Sequence, residues 1–169
     1  MNKVNIYYTR HCNTVHNLLK ECKFLKKSYF KKIDIENPVL SNFGINHALH
    51  IYNHFNFNNK FNPEIVCASY YVRSWISAFI LYNDYFKKNN ILYILPYIHE
   101  YHNHIKPSSL DKINEIKYFN IKNSMKIFKK FISYLKKFMK IYNKNLYKKF
   151  TFTPLKIYTT DDLKWHKHR

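Results

Sequence analysis

Residues 121–149 read IKNSMKIFKKFISYLKKFMKIYNKNLYKK, and this stretch decides the fold class. Its apolar residues recur at alternating spacings of four and three, which places them on one face of an α-helix. We therefore predict one long amphipathic helix over residues 121–149. The face expected to be buried consists of Ile121, Met125, Phe128, Ile132, Leu135, Met139, Tyr142 and Leu146.

The lysines of this stretch lie on the opposite side of the predicted helix. At about 100° per residue, they fall within an arc of roughly 120°. This lysine face consists of Lys122, Lys126, Lys129, Lys130, Lys136, Lys137, Lys140 and Lys144. No Asp or Glu occurs between Glu115 and Asp161, so the helix offers these lysines no acidic partner. Because like charges at i,i+4 destabilise a helix, the pattern indicates a face that meets negative charge.

Nucleic-acid phosphate is the partner that we expect for the lysine face. Two other interpretations stay open, namely a solvated face made basic by codon bias and a face against anionic lipid. An AT-rich coding sequence would favour Lys over Arg, and only Arg10, Arg73 and Arg169 are arginine. Such a bias does not explain why the chain has only 10 Asp+Glu.

The whole chain is strongly basic but has enough apolar residues to fold. Its 169 residues include 29 Lys+Arg and 46% hydrophobic residues, and its net charge is +19. The basic excess points to a polyanion or an anionic membrane surface as partner. Gly44 is the only glycine, which excludes the glycine-rich phosphate loops of Rossmann and P-loop proteins.

The remaining pattern predicts a mainly α-helical domain over residues 1–150, with a small β contribution near the N-terminus. Helices are expected from about Thr14, over 39–55 with an interruption at Gly44, from Asn62 to about Lys88, and over 109–119. Extended segments are expected at 4–8 and 33–35, while the apolar run 91–98 fits either a helix or a strand.

Residues 151–169 are predicted to form a basic C-terminal extension, because they lack a core-forming pattern. Cations flank one aromatic side chain near its end, in the segment that contains Lys164, Trp165, Lys167 and Arg169. This composition is typical of an arm that contacts RNA through phosphates and base stacking.

The N-terminal segment VNIYYTRHC, residues 4–12, is followed by a predicted helix and by Ile33-Asp34-Ile35. This order resembles the first strand, active-site turn and second strand of glutaredoxin-like proteins. The resemblance implies a βαβ start to the fold and gives Cys12 the place of the family's redox nucleophile. Val15 occupies the place of the second cysteine, and the family's paired glycines have no counterpart. We therefore predict that Cys12 has no redox role.

Two histidine groups are candidate metal ligands. His99, His102 and His104 do not all share one helical face, and His47, His50 and His54 share a face without a cysteine or carboxylate nearby. No spacing indicates a catalytic arrangement, so we expect no metal, no cofactor, no small-molecule substrate and no enzymatic activity. The apolar run 65–82 contains Arg73, so we expect no transmembrane span.

These observations predict a structural, RNA-contacting component of a large ribonucleoprotein. Within this class, we expect a divergent mitochondrial ribosomal protein that contacts ribosomal RNA and neighbouring ribosomal proteins. The alternative is an accessory subunit of a respiratory or ATP synthase complex of the mitochondrial inner membrane, where the lysine face would meet lipid headgroups.

Overall fold

The computed structural model describes residues 4–21, 38–54, 63–95 and 120–159. In chain order, its helices are α1 (Val15–Glu21), α2 (Asn42–His54), α3 (Val72–Leu81), α4 (Asn83–Lys88), α5 (Ile121–Tyr142) and α6 (Lys144–Lys149). Its strands are β1 (Cys67–Ala68), β2 (Ile91–Ile94) and β3 (Lys156–Thr159). The prediction of a mainly α fold with a small β contribution is confirmed.

Among the described residues, the β contribution lies in the middle and later parts of the chain, whereas the sequence predicts it near the N-terminus. The three strands form a parallel sheet in the order β1-β2-β3, with Cys67 opposite Tyr93 and Ile91 opposite Lys156. Residues 4–8 belong to no strand, and Val4 is 78% exposed. The predicted βαβ start is therefore wrong for these residues, while residues 33–35 lie outside the described part.

The predicted helix from Asn62 to Lys88 is instead a strand followed by two helices. Residues 66–68 are held in the sheet, because Tyr93 N donates to Val66 O at 3.2 Å and Leu95 N donates to Ala68 O at 2.8 Å. Ile65, within the stretch predicted to be helical, lies before β1 and is 62% exposed. Residues 91–94, for which the sequence left helix or strand open, form β2.

Helix α3 forms the centre of the core. Trp75, Ile76 and Phe79 are at most 1% exposed. The ring of Phe128 on α5 packs edge-on against those of Trp75 and Phe79, with 5.9 Å between ring centroids in each pair. Burial of this aromatic cluster fixes α5 against α3, and thereby fixes which side of α5 faces outward.

Gly44 lies inside α2 and does not interrupt it, contrary to the prediction. A Cβ atom at this position would lie 2.0 Å from the carbonyl oxygen of Asn13. Ser41 connects the same two segments, because its backbone N donates to Asn13 O at 3.1 Å and its Oγ accepts from Gly44 N at 3.0 Å. Glycine is needed here for close approach.

Residues 151–159 are packed into the fold, although the sequence placed them in a basic extension. Thr151 N donates to Asn83 Oδ1 at 2.8 Å, and Asn83 Nδ2 donates to Thr151 O at 3.0 Å. Phe152, Leu155 and Ile157 pack against the core, and β3 completes the described sheet. The cations and aromatic residue of the predicted arm, at 164–169, lie outside the described residues.

Candidate nucleic-acid interface

The lysine face is exposed along the whole of α5. Every one of its lysines is solvent-exposed, namely Lys122, Lys126, Lys129, Lys130, Lys136, Lys137 and Lys140 on α5 and Lys144 at the start of α6. The opposite side of α5 carries the buried residues Ser124, Phe128, Phe131, Leu135, Phe138 and Met139. The helix therefore has one side fixed in the core and one side that presents only lysine charge.

The buried side of α5 is rotated from the predicted apolar face. Phe131 and Phe138 are buried, whereas Tyr142, which the spacing placed inward, is 73% exposed. At 100° per residue, the centre of the buried side shifts by about 40°. This shift brings the core side of α5 almost opposite the centre of the lysine arc. The lysines are therefore more exposed than they would be if the predicted apolar face were the buried one.

Asn143 divides the predicted long helix into α5 and α6. Its side chain accepts a hydrogen bond from Leu146 N at 3.1 Å and so caps the N-terminus of α6. The backbone of Asn143 has φ −150° and ψ 67°, which is not helical. The prediction of one helix over 121–149 is thus wrong at this residue, and Lys144 belongs to α6.

The lysine face has no acidic partner within the described residues. The carboxylate of Asp84 accepts from Tyr52 Oη at 2.9 Å and pairs with Lys87, far from α5 in sequence. Lys136 instead places its Nζ 5.8 Å from the centroid of the Phe152 ring, a cation–π contact. The mutual repulsion of these cations is therefore not compensated by carboxylates in the described part of the chain.

A pair of stacked tyrosines on the outer face of the sheet was not predicted from the sequence. Tyr93 on β2 lies opposite Tyr158 on β3, and their rings stack with centroids 6.0 Å apart and planes inclined by 30°. Leu92 and Ile94, which alternate with Tyr93, are at most 1% exposed and face the core. The segment Ile91-Leu92-Tyr93-Ile94 could have indicated a strand with Tyr93 on its outer side. The sequence does not show that Tyr158, on a distant strand, pairs beside it.

The surroundings of Cys12 differ from those of the redox cysteine that the glutaredoxin-like resemblance implies. Cys12 is 7% exposed, and its backbone N donates to Ser77 Oγ at 3.0 Å. Burial raises the pKa of the Cys12 thiol, while a hydrogen bond with Ser77 lowers it by less. A redox nucleophile needs the opposite shift, toward the thiolate.

The histidines of α2 are exposed and not arranged around a metal position. The rings of His50 and His54 have centroids 4.2 Å apart and planes inclined by 37°, and His47 is also exposed. Within residues 4–21, 38–54, 63–95 and 120–159, no group of three or more His, Cys, Asp or Glu side chains is placed to hold a metal ion. The candidate ligands at 99, 102 and 104 lie outside the described residues.

A groove of about 570 Å³ lies between α1, the segment before α2, and α5. Val15, Val39, Ile127 and Phe131 give it an apolar lining, and Lys130 lies at the groove. The titratable side chains among its described lining residues are those of Lys130 and Tyr134. No helix among the described residues is long and apolar enough to cross a membrane.

Comparisons of the chain with protein-family models, with curated proteins and with solved structures find no match.

Proposed function

We propose that the protein is a structural component of a large ribonucleoprotein and holds the lysine face against RNA phosphates. The proposed setting is a mitochondrial ribosome, with ribosomal RNA and neighbouring ribosomal proteins as partners. The supporting observation is that the lysine face is exposed opposite the core side of α5 and lacks carboxylate partners among the described residues.

Charge repulsion explains why this arrangement favours a polyanion. Seven of these lysines lie on α5, whose other side is held in the core by Phe128 and Leu135, so the fold keeps their backbone positions together on one exposed side. Phosphates bound along the helix would neutralise them and release condensed counterions, which favours binding at low salt. Lysine presents a point charge without the planar fork of arginine, so the face would position RNA by its backbone with little base reading.

The test is a variant with four charges removed, Lys126→Gln, Lys129→Gln, Lys137→Gln and Lys140→Gln. All four side chains are exposed on α5, so the fold should be retained. Binding to a labelled single-stranded RNA is measured over a series of salt concentrations. Loss of four phosphate contacts should lower the slope of log K against log salt by about 3.

The matched control removes four exposed cations elsewhere, with Arg10→Gln, Lys88→Gln, Lys148→Gln and Lys149→Gln, and so makes the same change in net charge. If the lysine face is the interface, the control should lose clearly less slope than the α5 variant. Equal losses would mean that net charge alone attracts RNA. An unchanged slope in the α5 variant would refute the proposed interface.

The second candidate is an accessory subunit of a respiratory or ATP synthase complex of the mitochondrial inner membrane. One observation favours it, since Ile141 and Tyr142 at the end of α5 are 67% and 73% exposed. Cations beside exposed apolar side chains are typical of helices at a lipid interface. Co-sedimentation with vesicles that contain anionic lipid, at a salt concentration where RNA no longer binds, would support this candidate over the first.

A further inference from the structure

We propose that the outer face of the β-sheet is a stacking platform for unpaired RNA bases, formed by Tyr93 and Tyr158 with Lys156 beside them. We call these three residues the tyrosine platform. This inference rests on the proposed function, because it assigns a second contact to the same RNA partner. It differs in chemistry, since the lysine face binds phosphates and the platform binds base rings.

Among the described residues, the two faces of the sheet differ in how far they are buried. Parallel sheets are normally covered on both faces. Here the inner face carries Ala68, Leu92 and Ile94, which are at most 7% exposed. On the outer face, Lys156 is exposed and Tyr158 remains 37% exposed. Within the described part of the chain, this face therefore keeps ring and ammonium surface that a ligand can contact.

The outer face presents two aromatic rings side by side. Cys67, Tyr93 and Tyr158 lie opposite one another across the three strands, so their side chains share the outer face. The two tyrosine rings are already stacked, with 6.0 Å between centroids. Tyr158 is on the last strand of the described sheet, where a further flat ring could continue the stack. Aromatic side chains on an open sheet surface are how several RNA-binding domains hold single-stranded bases.

A cation lies beside the rings. Lys156 precedes Tyr158 by two residues on β3 and therefore lies on the same face of the sheet. A base stacked on Tyr158 would have its phosphate within reach of this ammonium group, a combination typical of single-strand binding sites. The net charge of +19 excludes an attraction for cationic partners and favours an anionic strand.

The test compares binding to single-stranded RNA with binding to an abasic strand of equal length and charge, each of about 12 nucleotides. The variant is Tyr93→Leu with Tyr158→Leu, which keeps an apolar surface and removes both rings. We expect its affinity for RNA to fall at least about fivefold, the lower limit for one lost base stack, with the salt slope and the affinity for the abasic strand unchanged. Tyr158→Leu alone, at the more exposed position, should show part of the loss if the double variant fails to fold.

Two controls separate stacking from other effects. Tyr93→Phe with Tyr158→Phe keeps the rings and should retain wild-type affinity. Tyr142→Leu removes a tyrosine that is 73% exposed on α5, away from the sheet, and should also bind as the wild type does. A second readout is the thiol of Cys67, which is exposed in the same row as Tyr93, so bound RNA should slow its alkylation.

The outcomes distinguish the two proposals. If the leucine variants bind RNA as the wild type does and Cys67 is not protected, the tyrosine platform is overturned while the lysine face stands. If the leucine variants lose affinity but the α5 glutamine variant does not, the platform stands and the proposed lysine interface fails. If the abasic strand loses affinity to the same extent as RNA, the tyrosines act through the fold and not through bases, and the platform is overturned.

Discussion

Replacing Asn83 with alanine should strongly destabilise the protein, because this side chain connects two segments that are distant in sequence. Asn83 is 0% exposed at the junction of α3 and α4. Its amide makes two hydrogen bonds to the backbone of Thr151, as acceptor at 2.8 Å and as donor at 3.0 Å. It thereby holds the central helix against the segment that leads into β3.

The magnitude follows from the groups left unpaired. In Asn83→Ala, the N–H and C=O of Thr151 both lose their partner, and each unsatisfied group costs about 1–3 kcal/mol when water cannot replace it. Thr151 is only partly buried, so water can satisfy some of the loss, and we expect a total of about 2–4 kcal/mol. For a chain of this size, that loss corresponds to a fall in Tm of roughly 5–15 °C.

The assay is urea unfolding followed by tryptophan fluorescence, because Trp75 is 0% exposed and its environment changes when the core opens. Asn145→Ala, at an exposed position of α6, is the matched control and should change the unfolding free energy by less than about 0.5 kcal/mol. A loss below about 1 kcal/mol in Asn83→Ala would refute the reasoning, since it would mean that the Thr151 groups are hydrated without cost.

Three further predictions concern the packing and titration of single residues. Gly44→Ala should lower the unfolding free energy, measured by urea unfolding, by about 1–3 kcal/mol, because the alanine Cβ would lie 2.0 Å from the carbonyl oxygen of Asn13. Asn46→Ala, at an exposed position of the same helix, is the control and should not lower the unfolding free energy in this way. Burial raises the pKa of Cys12, so in the native protein this thiol should alkylate more slowly than a free cysteine at pH about 8, and Cys12→Ser should leave RNA binding unchanged. Burial, and to a smaller extent the hydrogen bond to the Asp84 carboxylate, raises the pKa of Tyr52 above its ordinary value. The protonated Tyr52 phenol therefore stabilises the fold below pH about 10, and this stabilisation falls as pH rises further. Tyr52→Phe should make the loss of stability above that pH less steep, and an unchanged pH profile would contradict this.

The exposed lysines could be predicted because helical periodicity is a local property. The spacing of Lys126, Lys129 and Lys140 alone placed them on one side, and the structure exposes them. Which apolar residues face the core was harder, since α5 has more apolar positions than one stripe needs. Contacts with Trp75 and Phe79 on α3 turned the helix toward Phe131 and Phe138, and no local pattern contains that information.

The sheet could not be predicted because its strands are short and their pairing is distant in sequence. Cys67-Ala68 is too brief to show an alternation, and it lies within a stretch that suits a helix. The tyrosine platform shares this origin, since Tyr93 and Tyr158 become neighbours only through the register of β2 and β3. Gly44 led to the wrong prediction of a helix interruption, because the contact that requires glycine is made with Asn13, in a segment distant in sequence.

The parallel pairing of β2 with β3 also sets the order in which the protein can be completed during synthesis. A nascent chain that has emerged only as far as Phe150 has all the described helices, yet β2 still has one edge without a partner and Asn83 has no Thr151 to bind. Long-range parallel pairing is slow, and unpaired strand edges promote aggregation. Residues 151–159 therefore join the fold only after the described helices have been synthesised, and chains cut short before Lys156 should be recovered mainly as insoluble protein.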